Sequence, residues 1–144
     1  MPLSLHLELD RKKVTLGDLP VATVRLINEG PEVILVNARM LVAPAAHPDN
    51  LKELSFFIEG PEGSENLKRF RVNAGRATAE NFARLFPGEY IFKTYDLSRY
   101  FSYDKTGKYK ITAQYGNAVS LSVNNLTSWT GKLVSNEEFF EITN

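Results

Sequence analysis

The sequence predicts an all-β antiparallel sandwich, and three observations carry that expectation. Apolar residues recur at every second position in one segment after another, the period of a half-buried strand. Clusters of Gly, Pro, Asn and Asp separate those segments at short intervals. The one stretch with a helical pattern, Ala77 to Ala83, amounts to a single turn, too short to hold as a helix by itself, and is expected to be a loop entering a strand near Phe82. About nine strands follow, in a Greek-key arrangement, with no internal repeat.

The strands can be justified in order. Leu3, Leu5, Leu7 and Leu9 alternate with Ser4, His6, Glu8 and Asp10, which places His6 on the solvent side. A short strand around Val14-Thr15-Leu16 ends at Gly17-Asp18, and Val21 to Asn28 alternates again before the turn Asn28-Glu29-Gly30-Pro31. Val33-Ile34-Leu35-Val36 is apolar on both faces, so it suits a strand covered on both sides. The loop Ala43 to Asn50 and the segment Asn73 to Phe82 are the expected covers, and a monomer then follows. Arg39 to Val42 is expected as a further short strand, and Leu54 to Glu59 as the next. Leu67 to Val72 is expected to be a partner strand with a basic outer face.

Leu85-Phe86-Pro87-Gly88-Glu89 is a tight turn, Pro87 pre-setting φ and Gly88 supplying a left-handed position. Tyr90 to Leu97 is a strand, and a short helical crossover spans about 97 to 103. Thr106-Gly107 opens the run in which Tyr109, Ile111, Ala113 and Tyr115 share one face. Val119, Leu121 and Val123 alternate with Ser120 and Ser122, and the segments around Trp129 to Asn136 and Glu137 to Thr143 complete the set, with Phe140 and Ile142 inward.

Composition bounds the rest. A chain of 144 residues falls in the size range of one domain, expected over 1–144, and can bury about two-thirds of its unfolded surface. Hydrophobic residues at 43% and charged residues at 24% suit a globular chain without a membrane span. Lys plus Arg and Asp plus Glu both number 17, so no global field draws the chain to nucleic acid. The absence of cysteine removes disulfides, thiolate metal sites and a Cys nucleophile. Met1 to His6 lacks the basic and apolar regions of a signal peptide, so the compartment is cytoplasmic, or exported if a leader has been removed.

Tyr109 stands two residues after Gly107 at the start of a late strand, where an immunoglobulin-like sandwich places a tyrosine whose hydroxyl ties the strand to the preceding crossover. Together with Asn28-Glu29-Gly30, Pro87-Gly88-Glu89, Asp96-Leu97-Ser98, Gly107-Lys108-Tyr109 and Trp129-Thr130-Gly131, this progression resembles bacterial immunoglobulin-like or fibronectin-III-like accessory domains. It is similar to the β-rich domains that accompany deuterolysin and peptidyl-Lys metallopeptidases, and to a bacterial intracellular proteinase-inhibitor family. The resemblance rests on turn and corner residues and implies a fold. It carries over no active residue: His6 precedes Leu7 and His47 precedes Pro48, so the peptidases' His-Glu-x-x-His zinc motif is missing.

The remaining chemistry is sparse. Two histidines far apart in sequence do not make a zinc site, so no metal and no cofactor is expected. No Gly-x-Ser-x-Gly elbow marks a nucleophile. Glu137, Glu138 and Glu141 read as solvated strand charges, Asn125-Leu126-Thr127 as a chance sequon, and Lys68, Arg69, Arg71, Arg76 and Arg84 as a basic surface. The aromatics Tyr100, Phe101, Tyr103 and Trp129 lie on expected connections, where sandwich scaffolds carry binding, and are the candidate ligand contacts; otherwise they cap the ends of the core. Tyr109, Gly107, Pro87 and Gly88 are the candidate structural residues. The expected function is a non-catalytic immunoglobulin-like module that binds a protein or a polysaccharide. The alternatives are a proteinase inhibitor presenting Ala43 to Asn50 or Gly60 to Ser64, and a small hydrolase built on a pocket of Asp, Glu and His.

Overall fold

In the computed structural model of the protein, residues 2–42, 52–61 and 75–144 are described. The first strand, β1 (Leu3–Leu9), buries its leucines at 3, 5 and 7 and leaves Ser4, His6 and Glu8 outside. The chain then changes sheets at Asp10 to Lys12 and forms β2 (Lys13–Thr15). Arg11 holds this corner, donating to Asp18 Oδ2 at 2.8 Å and to the Leu19 carbonyl at 2.9 Å. β3 (Val21–Asn28) alternates without a break and pairs antiparallel with β1 on one side and with β7 (Tyr90–Asp96) on the other.

The second sheet is built on β8 (Gly107–Asn117), eleven residues long. Along one edge of β8 runs β5 (Leu54–Glu59). Its other edge is shared by β12 (Glu138–Thr143) towards the start and β11 (Gly131–Val134) towards the end. β2 pairs with β12 in parallel and closes this sheet. The inner faces of both sheets join in one apolar core, and Phe56 of β5 meets Tyr95 of β7 edge-on at 5.4 Å between ring centres. The protein is an all-β sandwich, and its described residues form twelve strands where about nine were expected.

The extra strands are short and have local causes. β4 (Ile34–Asn37) pairs with β6 (Phe82–Leu85), which a 3₁₀ turn at Ala79–Asn81 introduces. Leu35 and Val36 are both buried although they point to opposite faces. Beside β6, a single parallel bridge from Leu35 to Ser128 brings the 128–129 segment against this strand. The expected cover at Ala43 to Asn50 lies outside the described residues, as does the expected strand at Leu67 to Val72. β9 (Ser122–Val123) and β10 (Leu126–Thr127) form a hairpin whose two turn residues, Asn124 and Asn125, have φ of 50° and 67°. Asparagine tolerates that left-handed geometry, so the expected alternating strand from Val119 shrinks to two residues.

Arg39 to Val42 is not a strand. Asn37 Oδ1 accepts from the Arg39 amide at 3.0 Å, which turns the backbone, and Met40 then takes φ 50°. Only an isolated bridge from Val42 to Leu54 remains. At the 86–89 turn Gly88 has φ 84° and its amide reaches the carbonyl of Asn28 at 2.8 Å. Asn28 is fully buried and donates to the Glu32 and Leu85 carbonyls, pinning the turn to β3. The crossover after β7 is a 3₁₀ turn at Leu97–Arg99, capped by Asp96, whose side chain accepts from the Ser98 amide.

Candidate functional site

The four candidate contact aromatics do not form one platform. Phe101 and Tyr103 are buried, and at the start of β8 Tyr103 meets Tyr109 edge-on at 4.9 Å while Tyr109 stacks on Phe140 at 5.3 Å. Tyr100 packs partly buried against the same core. Trp129 lies six residues further along β8, inclined at 31° to Tyr115 with ring centres 5.8 Å apart. At the strand's rise, Tyr109 and Tyr115 are about 20 Å apart. Tyr103 therefore packs at one end of β8 and Trp129 at the other.

Of the structural candidates, Tyr109 and Gly107 lie at the start of β8 with Tyr103. Tyr109 is buried and its hydroxyl donates to the Lys105 carbonyl at 2.7 Å, tying β8 to the crossover before it. Gly107 has φ 138°, and a Cβ there would lie 2.5 Å from Pro61 Cγ, so conformation and space both require glycine. Pro87 and Gly88 form the turn on β3 described above.

At the far end of β8 the chain builds a polar cluster. Arg39 Nη2 is 2.7 Å from Glu53 Oε2, and Arg39 Nε lies 3.0 Å from the same oxygen. Glu53 also accepts from Asn37 Nδ2 at 3.0 Å and from the Leu41 amide at 3.0 Å. Asn37 Nδ2 reaches Asn117 Oδ1 at 3.4 Å, and Asn117 Nδ2 donates to the Val119 and Trp129 carbonyls. Two buried tyrosines close the cluster: Tyr115 donates to the Asn37 carbonyl at 2.8 Å, and Tyr95 to the Met40 carbonyl at 2.5 Å. Burial pushes both phenols well above their ordinary range, helped at Tyr95 by Tyr100 and Glu53 and at Tyr115 by Glu53. Beside the cluster lies a groove of about 260 Å³ that includes Asn117 among its walls.

The exposed aromatics lie elsewhere, on the outer face of the three-stranded sheet. Phe92 is 62% and Tyr90 53% exposed, two residues apart on β7 with ring centres 6.4 Å apart and planes at 48°. Strand register sets His6, Arg25 and Phe92 in one row, and Ser4, Ile27 and Tyr90 in the next. The Arg25 guanidinium lies 5.9 Å from the Tyr90 ring centre and 3.0 Å from Glu8 Oε2. Sequence reasoning passed over this face because Tyr90 to Leu97 reads as one more strand. Tyr90, Phe92 and Thr94 fall on one face and Ile91 and Tyr95 on the other, so aromatics occupy both and alternation by itself does not choose the solvent side.

The outer face of the second sheet carries Phe57 and Phe139, both exposed, with Phe139 opposite Lys110 and Phe57 opposite Thr112 on β8. Glu137 and Glu59 bond that ammonium at 3.1 and 3.4 Å and raise its pKa. Among the described residues no group of three or more His, Cys, Asp or Glu side chains gathers as a metal site, and no helix is long and apolar enough to cross a membrane. No protein-family model matches the chain, and no curated protein matches it.

Proposed function

We propose that the chain is a non-catalytic immunoglobulin-like binding module that recognises a protein through the outer face of its three-stranded sheet. The exposure of Tyr90 and Phe92 around Arg25 carries this reading. Tyrosine and arginine are among the residues that dominate protein–protein binding energy, because they offer large contact area with few rotatable bonds or a planar set of donors. A polysaccharide fits less well, since two neighbouring rings inclined at 48° do not present one flat stacking plane. The immunoglobulin-like assignment is supported by the first strand moving from one sheet to the other, by β2 running parallel to the last strand, and by the Tyr109 hydroxyl tie. The proteinase-inhibitor alternative rests on loops that lie largely outside the described residues, and no observation elsewhere favours it.

Photo-crosslinking tests the proposal. Benzoylphenylalanine placed at position 92 in the native host is expected to give one discrete protein adduct, competed by excess unlabelled chain and lost in Arg25→Glu. The same group at position 57, on the opposite sheet, serves as control. Absence of a discrete adduct from position 92, or an identical adduct from both positions that survives Arg25→Glu, overturns the assignment.

A further inference from the structure

β1 is the outer strand of its sheet, and among the described residues no second strand lies beside it. Its even-numbered residues turn their backbone groups towards β3, as the bonds from the Glu29 amide to the Pro2 carbonyl and from the Asp10 amide to the Val21 carbonyl require. Leu3, Leu5, Leu7 and Leu9 therefore turn theirs to the outer edge. Such a row of amides and carbonyls on a regular strand is a template for pairing with another chain.

Asn136 interrupts that row. Its Oδ1 accepts from the Leu7 amide at 2.8 Å and its Nδ2 donates to the Leu7 carbonyl at 3.0 Å, the same two bonds that a directly opposite residue makes in an antiparallel ladder. Asn136 lies between β11 and β12 of the second sheet, and a bulge carries it across to β1. Val134 pairs with Gln114 and Glu138 with Ile111, so four steps along this strand match three along β8 and one residue is extra. Ser135 stays in register, its amide donating to the Ala113 carbonyl and its hydroxyl accepting from the Ala113 amide, both at 2.8 Å. Asn136 is the residue that turns out of the sheet.

The edge behind Asn136 is complementary to itself. Two copies of β1 running antiparallel about Leu7 would set Leu5 opposite Leu9 on the inner face and His6 opposite Glu8 on the outer face, so apolar meets apolar and no like charges meet. Each Leu7 would then make with the other the two bonds that it makes with Asn136. We propose that the Asn136 bulge holds β1 closed against β1 of a second copy, and that this edge is a self-association site blocked by the chain's own side chain.

Amide hydrogen exchange and sedimentation of the intact chain test this. The wild type should sediment as a monomer, with the Leu7 amide exchanging about tenfold or more slower than those of Leu5 and Leu9 on the same edge. Deletion of Asn136 removes the extra residue and keeps β11 and β12 in their registers on β8, and the deleted chain should self-associate about tenfold or more tightly than the wild type. Protection should then extend to Leu5, Leu7 and Leu9 together. His6→Glu added to the deletion sets a carboxylate opposite Glu8 of the second copy and should restore the monomer at low salt, whereas His6→Lys should keep the dimer. His6 is exposed, so neither change disturbs the core. Asn136→Ala removes both bonds and spares the bulge; it should raise Leu7 exchange to the rate of Leu5, and it keeps the test decisive if the deleted chain does not fold. A wild-type Leu7 amide that exchanges as fast as Leu5, Leu7 exchange unchanged in Asn136→Ala, a folded deletion variant that stays monomeric, or a dimer indifferent to His6→Glu would each overturn the proposal.

Discussion

The two ends of β8 solve opposite problems with similar residues. At its start, Tyr109 is sealed by Tyr103 and Phe140, and its hydroxyl donates to the Lys105 carbonyl, which satisfies the polar atom that the ring brings inside. At its end, Tyr115 reaches the backbone of Asn37 within a cluster that also buries Glu53 beside Arg39. The first end is apolar and closed, whereas the second spends its hydrogen bonds on a buried polar cluster beside an open groove. A tyrosine on a strand therefore does not mark a binding surface. What its hydroxyl meets, and what lies beyond it, decides the role.

The polar end is where the difference is easiest to break. Glu53→Ala strips the acceptor from Arg39, Asn37 and the Leu41 amide together, and taking the carboxylate from a largely buried cation that keeps its bond to the Gly75 carbonyl is expected to cost about 3 kcal/mol. Urea unfolding measures this, and a loss under about 1 kcal/mol would show that water already satisfies Arg39.

Alkaline pH probes the same end. In the unfolded chain Tyr95 and Tyr115 ionise near pH 10, and burial raises both in the fold. The folded chain keeps protons that the unfolded chain releases. Their contribution to stability is thus complete below about pH 10 and falls as pH rises above it, by about 1.4 kcal/mol per unit for each hydroxyl. Absorbance at the phenolate band should then rise for these two tyrosines together with the loss of circular dichroism. Ionisation of both in a still-folded chain would contradict their burial.

The apolar end answers to a smaller change. Tyr109→Phe keeps the ring stack and deletes one buried hydroxyl bond, for an expected loss of about 1 to 2 kcal/mol with the topology intact. A variant as stable as the wild type would mean that the hydroxyl tie contributes nothing net.

Much of the sandwich was legible because period-2 alternation is a strong signal wherever one face is buried. Leu3 to Leu9, Val21 to Asn28 and Leu54 to Glu59 have the bounds that their patterns suggest. The pattern failed where short polar side chains redirect the backbone. Asn37 turns the chain ahead of Met40, and Asn124-Asn125 folds a hairpin inside what reads as one strand. The binding surface was harder to see. Tyr100, Phe101 and Tyr103 lie on a connection, as expected, but the crossover carries them into the core, while Tyr90 and Phe92 sit on a regular strand whose pattern does not reveal which face meets solvent.

Thermal unfolding of Phe92→Ala beside Tyr103→Ala tests most directly whether the outer-face aromatics are free to bind while the crossover aromatics belong to the core. Phe92 stands largely in solvent, so its removal is expected to leave the midpoint within about 2 °C of the wild type. Removing the buried Tyr103 ring, which packs on Tyr109, should cost about 3 to 5 kcal/mol and lower the midpoint by about 10 °C or more. A Phe92→Ala midpoint that falls as far as that of Tyr103→Ala would show that the face is covered in the folded chain, and would contradict its role as the binding surface.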